Sequence, residues 1–276
     1  MAEKTKSQPV PLPDALVKPT AFVQERDFAA RQYRGRRENQ EDYYAFADAT
    51  TVEEEPLSKL LLVVCDGLGA HTGGSVASYL AAGSFIKAFH DNELSGAWRL
   101  RVALEAANET LGLTTSRMPQ VDQMMGTTLI GILLTPTTVQ WISVGDSPLF
   151  LFRDGKLSRI NADHSLAPML EERVARGEIT AEDAAHHPDR HTLQSALLGM
   201  PLTLVDAVMD PMPLRRGDII IGASDGILTL STKQLEDLLT FGRHTTADKI
   251  ADAIIFSIRR INFDRQDNVT VGVVKI

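Results

Sequence analysis

Apolar positions along this chain change their period several times. Residues 60–65 (Leu-Leu-Leu-Val-Val-Cys) are continuously apolar, the pattern of a short strand buried on both faces. The run opens into a glycine-rich loop, Asp66 to Gly74, after which Ser75 starts a helical stretch. Val76, Tyr79, Leu80, Phe85 and Phe89 are its expected buried face. A second helix is expected over about Gly96 to Met118, with Leu100, Val102, Leu104, Ala107 and Leu111 inward. From Gly126 the pattern is that of strands: Thr127 to Leu134, Thr138 to Val144 and Pro148 to Phe152. Thr135-Pro136 and Asp154-Gly155 are turn signals, the second making a hairpin into Lys156 to Ile160. Pro168 to His187 reads as a charged, helical surface insertion. Strands resume at Leu204 to Met209 and Asp218 to Ala223. Two helices follow, one opened by Ser231 with Gln234 at capping-box spacing and one near Thr245, and Val269 to Ile276 closes the chain as a strand.

Strands therefore come in runs separated by paired helices. That favours an α+β, sheet-on-sheet core with helices outside over a doubly wound parallel sheet. No internal repeat or linker divides the chain, so one domain is expected over 21–276. Residues 1–20, interrupted by Pro9, Pro11, Pro13 and Pro19, read as a flexible tail without an apolar signal segment. Composition adds exclusions. Of 276 residues, 43% are hydrophobic and 23% charged, enough apolar material for a sizeable core. The net charge of −8 argues against a nucleic-acid partner, whose affinity comes largely from basic phosphate contacts. A single cysteine, Cys65, leaves no disulfide framework and no cysteine-rich zinc site; it reads as a small hydrophobe. No apolar run approaches the roughly 20 residues that span a bilayer. A cytoplasmic protein with no membrane partner is expected.

Five acidic clusters lie at strand ends beside Gly, Ser or Asn: Glu41-Asp42, Asp66-Gly67, Asp146-Ser147, Asp225-Gly226 and Asp267-Asn268. A carboxylate that follows an apolar strand is costly unless solvated or paired. One such residue is ordinarily a turn or cap; five with small neighbours suit hard divalent cations such as Mg²⁺ or Mn²⁺, which take carboxylate, carbonyl and water oxygens.

In chain order, these clusters belong to Arg37-Glu38-Asn39-Gln40-Glu41-Asp42, Asp66-Gly67-Leu68-Gly69-Ala70-His71, Gly126-Thr127-Thr128, Gly145-Asp146-Ser147, Asp163-His164-Ser165, Ser224-Asp225-Gly226 and Asp267-Asn268-Val269-Thr270. With them the chain resembles the metal-dependent serine/threonine protein phosphatases of type 2C, in their bacterial stand-alone form, from about Phe22 to Ile276. The resemblance implies a four-layer α-β-β-α sandwich of two antiparallel sheets flanked by helix pairs. It implies a centre of two, or with a third site three, Mn²⁺ or Mg²⁺ ions. Asp66 would bridge two of them, the Gly67 carbonyl and Glu41 serving one and Asp225 and Asp267 the other. Asp42 would hold a metal-bound water, Asp146 with Asp225 would form the third site, and Arg37 would bind phosphate. It further implies hydrolysis of phosphoserine and phosphothreonine on proteins by a metal-bridging water or hydroxide attacking phosphorus in line, opposing a serine/threonine kinase, by a monomer. His71 is the candidate general acid for the leaving alkoxide, and about 164–190 corresponds to the family's flap.

Two departures from the family pattern stand out. The loop reads DGLGAH where DGMGGH is commoner, and His191 to Gly199 lacks an arginine often found there and carries an extra residue. Asp163 and His164 are expected to fix the start of the insertion, Thr127 and Thr128 to serve packing and local hydrogen bonding, and His186, His187 and His191 to be solvated. Rival readings fit less well. Gly67-Leu68-Gly69 lacks the third glycine of a dinucleotide fingerprint, Ser75 stands where a Walker lysine would be, and Leu68 replaces the second aspartate of a DxD hydrolase. A cysteine phosphatase would need an arginine soon after Cys65, and none precedes Arg99. A non-catalytic scaffold on the same fold would be marked by lost carboxylates, and every expected one is present.

Overall fold

A computed structural model describes residues 22–49, 59–69, 73–117 and 125–276. The expected tail 1–20, Met118 and His71 lie outside them. Strands β1 (Phe28–Tyr33), β2 (Tyr43–Asp48), β3 (Leu60–Cys65) and the two-residue β4 (Gly67–Leu68) lead into helices α1 (Gly73–His90) and α2 (Gly96–Arg117). Next come β5 (Gly126–Thr127), β6 (Leu129–Leu134), β7 (Thr138–Val144), β8 (Leu149–Arg153) and β9 (Lys156–Arg159). Short helices α3 (Ala167–Ala175) and α4 (Ala181–Ala185) lie within the expected flap, and β10 (Asp206–Ala207), β11 (Met212–Pro213) and β12 (Ile219–Ala223) follow. Helices α5 (Thr232–Gly242) and α6 (Ala247–Ile261) precede the closing β13 (Val269–Lys275).

Two antiparallel sheets result, ordered β1-β13-β12-β8-β9 and β10-β7-β6-β3-β2, with β11 beside β7. They are the middle layers of a four-layer sandwich. Alternation along β3 accounts for its unbroken apolar run: Leu60, Leu62 and Val64 enter the core between the sheets, while Leu61, Val63 and Cys65 pack under α1 and α2. In β12, Ile220 faces the other sheet while Ile219 and Ile221 meet α5 and α6. Close approach of the sheets needs glycine at one rung. Gly222 pairs with Gly272, and added Cβ atoms there would lie 2.8 Å from Ile132 Cδ1 and 2.8 Å from Leu62 Cδ2.

The sequence pattern misplaces one face. Phe85 and Phe89 on α1 are buried as expected, but Val76 and Tyr79 are 39% and 59% exposed, and the helix buries Ala77, Ser78, Ala81 and Ala82 in their place. Small side chains let α1 lie close to its neighbours, so the face that packs best is not the most hydrophobic one. On α2, Leu100, Leu104, Ala107 and Leu111 are buried as expected, whereas Val102 is half-buried. The expected strand at Leu204–Met209 shrinks to Asp206–Ala207, with Leu204 and Met209 exposed. Ser231 and Gln234 form the expected reciprocal cap. Strands β1 and β2 were not signalled by the apolar pattern, since β1 mixes Arg and Gln with alanines.

Filling the glycine rung tests the packing. Gly272→Val overpacks against Leu62 and should cost about 2 kcal/mol, a fall in Tm on the order of 5 °C. An unchanged melting curve would contradict this close contact.

Candidate metal centre

The ends of the strands bring the acidic clusters together. Tyr43 pairs with Cys65, so Asp42 and Asp66 lie just beyond the same rung of one sheet. In the other sheet Ala223 pairs with Val271, which sets Asp225 after β12 and Asp267 before β13 at the matching end. Asp146 lies in the turn from β7 to β8 on that same side.

Each loop is anchored by backbone-directed hydrogen bonds. The Asp66 N–H donates to Thr128 Oγ1 (3.0 Å), and its carbonyl accepts from Thr127 Oγ1 (2.8 Å) and the Thr128 N–H (2.9 Å). Thr128 Oγ1 also shares a 2.7 Å hydrogen bond with Ser147 Oγ, joining the Asp66 loop to the Asp146 turn. Arg159 donates to the Asp146 carbonyl (2.8 Å) and to Asp163 Oδ2 (2.8 Å). His164 Nδ1 accepts from the Gly145 N–H (3.1 Å). Asn268 clamps the Arg37-bearing loop: its Nδ2 donates to the Arg34 and Asn39 carbonyls (2.8 and 2.9 Å), and its Oδ1 accepts from the Glu41 N–H (2.8 Å). Gly67 fits where no side chain would, because a Cβ there would stand 2.2 Å from the Gly74 carbonyl oxygen and 2.4 Å from that of Glu41.

The carboxyl groups respond electrostatically to this crowding. Asp42 is buried; its Oδ2 accepts from Ser224 Oγ (2.7 Å) and Thr270 Oγ1 (2.8 Å), while Oδ1 is buried with no partner among the described residues. Burial first, then the charges of Asp225 and Asp267, push Asp42 up to about 7 against the pull of its two hydroxyl donors. Burial and the Asp225 charge likewise raise Asp146 to about 7. Asp66 is raised well above the carboxylate range by burial and by Asp42, Asp225, Asp146 and Asp267. Burial raises Glu41 as well. Asp225 is raised by burial and by Asp267, offset by His191, Arg37 and a hydrogen bond with Asp66. Arg37 donates from Nη2 to Asp267 Oδ2 at 2.5 Å.

Glu41, Asp42, Asp66, Asp146, Asp225 and Asp267 thus form one field of like charge beside Arg37. Among the described residues, no three acidic, imidazole or thiol groups already surround one point at ligand distance. The donor set nonetheless fits hard divalent cations: its groups are carboxylates plus the Gly67 carbonyl, and Asp42 Oδ1 is an orphaned buried acceptor. Cys65 contributes no thiolate, since burial drives its thiol pKa up. Sequence reasoning quoted Ser224, Asn268 and Thr270 inside motifs without giving them a role, and it missed Arg159; their partners are distant in sequence or on the backbone. It also took His191 as merely solvated; its ring is exposed, yet near enough to Asp225 to lower that carboxyl.

Comparison with known proteins gives the family and fold to which the chain is similar. A family model described as Protein phosphatase 2C matches residues 35–246. A serine/threonine phosphatase stp of Listeria welshimeri is 28% identical over 229 residues, covering 78% of this chain and 84% of that protein. The crystal structure of the serine/threonine phosphatase PstP/Ppp of Mycobacterium tuberculosis superposes with a TM-score of 0.73 at 30% identity, covering 90% of this chain and 97% of that one. A PstP catalytic domain in complex with two manganese ions gives a TM-score of 0.70 at 30% identity, over 90% and 96% of the two chains.

The raised carboxyls carry a pH dependence. Asp146 rises from 3.8 to about 7 on folding, so the folded chain holds that proton more tightly than the unfolded one. Its stabilising effect is present below pH about 4 and is lost as pH rises through about 7. In EDTA, Asp146→Asn should therefore be more stable than the parent at pH 8, by on the order of a kcal/mol or more, with the gap closing toward pH 4. Urea unfolding at several pH values reads this; a pH-independent gap would refute it.

Proposed function

The chain belongs to the protein phosphatase 2C family and is an enzyme of the serine/threonine phosphatase type, and from this we propose that it hydrolyses phosphoserine and phosphothreonine on proteins at the carboxylate cluster. The observation that carries the reading is the convergence of Asp42, Asp66, Asp146, Asp225 and Asp267 on one end of both sheets beside Arg37. Phosphoprotein substrates and an opposing serine/threonine kinase follow from the activity of such enzymes. No helix among the described residues is long and apolar enough to cross a membrane.

The residue roles are those the family resemblance implies, and the chemistry of the groups suits them. Asp66, Glu41, Asp225, Asp267 and the Gly67 carbonyl would hold two Mn²⁺ or Mg²⁺ ions, with Asp146 serving a third and Asp42 orienting a bound water. Such ions, when bound, lower the pKa of a water and neutralise phosphoryl charge. Arg37 offers a planar fork to two phosphate oxygens; leaving Asp267 for the substrate would align phosphorus for in-line attack. His71, outside the described residues, would give its proton to the departing serine or threonine oxygen. The surrounding hydroxyl and amide clamps keep these groups from relaxing away from one another. Residues 21–276 make up the proposed catalytic domain, with 164–190 as a flap beside the site.

Hydrolysis of a phosphothreonine peptide with Mn²⁺ tests this reading. EDTA and Asp225→Asn should each abolish turnover, and Arg37→Ala should lower it by roughly 10²–10³. Arg37→Lys should recover little, because an ammonium cannot make the paired contact. Full metal binding with no turnover on any phosphopeptide would leave a binding protein on this fold.

A further inference from the structure

The end of the sandwich opposite the carboxylates is basic. A cavity of about 560 Å³ opens there, where β8 and β13 end and β12 begins. Its lining includes Arg153, Arg215, Arg216, Arg243 and Lys275 against Asp154, Asp218 and the terminal carboxylate of Ile276, in a chain whose net charge is −8. β13 runs from beside Asp267 to Lys275, so the two ends are roughly 20 Å apart at strand rise.

Two of these cations are already engaged in the fold. Arg153 grips Asp218 with Nε and Nη2 (2.9 and 2.6 Å), and Lys275 Nζ donates to the Thr245 carbonyl. The other three are not neutralised. Among the described residues the Arg215 and Arg216 side chains have no hydrogen bond or ion pair, and Arg243 Nε donates only to the ring nitrogen Nε2 of His244 (3.0 Å). Asp218 is occupied by Arg153 and by the Arg215 N–H (2.7 Å). Three guanidiniums thus line one concavity with no carboxylate paired to them among the described residues, beside a buried Asp218 and the turn at Gly217 (φ +95°). Guanidinium forks match phosphoryl oxygens in geometry and charge. Phe152 is buried, so among the described residues lining the cavity the His244 imidazole is the exposed ring.

We infer that this cavity is a second anion site, separate from the metal centre, that binds a phosphoryl group carrying two or more negative charges. The group could arrive on a protein side chain or as free phosphate or pyrophosphate, and the chemistry of recognition is the same. A phosphorylated protein held there would be docked at the end of the molecule remote from Arg37.

Calorimetric titration of the full chain in EDTA tests this, with pyrophosphate and with a phosphothreonine peptide as probes. Binding of at least one probe should persist in Arg37→Ala. It should weaken about tenfold for each arginine lost in Arg215→Ala and Arg216→Ala, and fall steeply with added salt. These exposed side chains hold nothing in the fold, so the double variant should keep the parent's Tm and its rate on p-nitrophenyl phosphate. Tighter binding of the peptide would assign the site to phosphoprotein docking, and tighter binding of pyrophosphate to a free anion; either supports the site. No binding of either probe, or binding lost in Arg37→Ala and kept in the double variant, would overturn it.

Discussion

Repulsion among carboxylates gathered at one end of two stacked sheets is the constraint on which the rest of the molecule turns. Sheet stacking alone would leave the ends of β2, β3, β12 and β13 free to splay apart. The chain instead fastens them with neutral donors: Ser224 and Thr270 on Asp42, Thr127 and Thr128 on the Asp66 backbone, Asn268 on the Arg37 loop. These groups satisfy acceptors without cancelling charge, so the negative potential survives for a cation to use. Arg37 is the only guanidinium hydrogen-bonded to one of these carboxylates among the described residues, and in the proposed function it turns to substrate.

The same two sheets give the molecule an electrical polarity along its strands. Acids occupy the end where β12 stops and β13 starts; unneutralised arginines occupy the other. Neither end follows from net charge, which averages them. Close packing of the sheets through Gly222 and Gly272 makes the two ends parts of one rigid body.

Much of this was legible in the sequence, and the reasons differ by element. The run at residues 60–65 was readable because both its faces are buried, so no alternation blurs it. The carboxylates were readable because an acid beside glycine or asparagine at a strand end is costly without a purpose. The buried face of α1 was not: alanines and glycines pack there, while Tyr79 turns outward to meet the edge of Tyr43 (ring centroids 5.2 Å apart). Ser224 and Thr270 look like any strand hydroxyls until Asp42, 182 and 228 residues away, is set against them. Asn268 was quoted as part of a motif, but its grip on three backbone groups across the Arg34–Glu41 loop is a tertiary fact with no local signal.

In the proposed metal centre the raised carboxyls are one interacting set that exchanges protons for divalent cations. Calorimetric titration with Mn²⁺ near pH 6.5, repeated in buffers of differing ionisation enthalpy, tests it most directly. Binding should be coupled to proton release, with less release at higher pH and both signals lost in Asp66→Asn. Binding without proton release, or binding unchanged in Asp66→Asn, would contradict it.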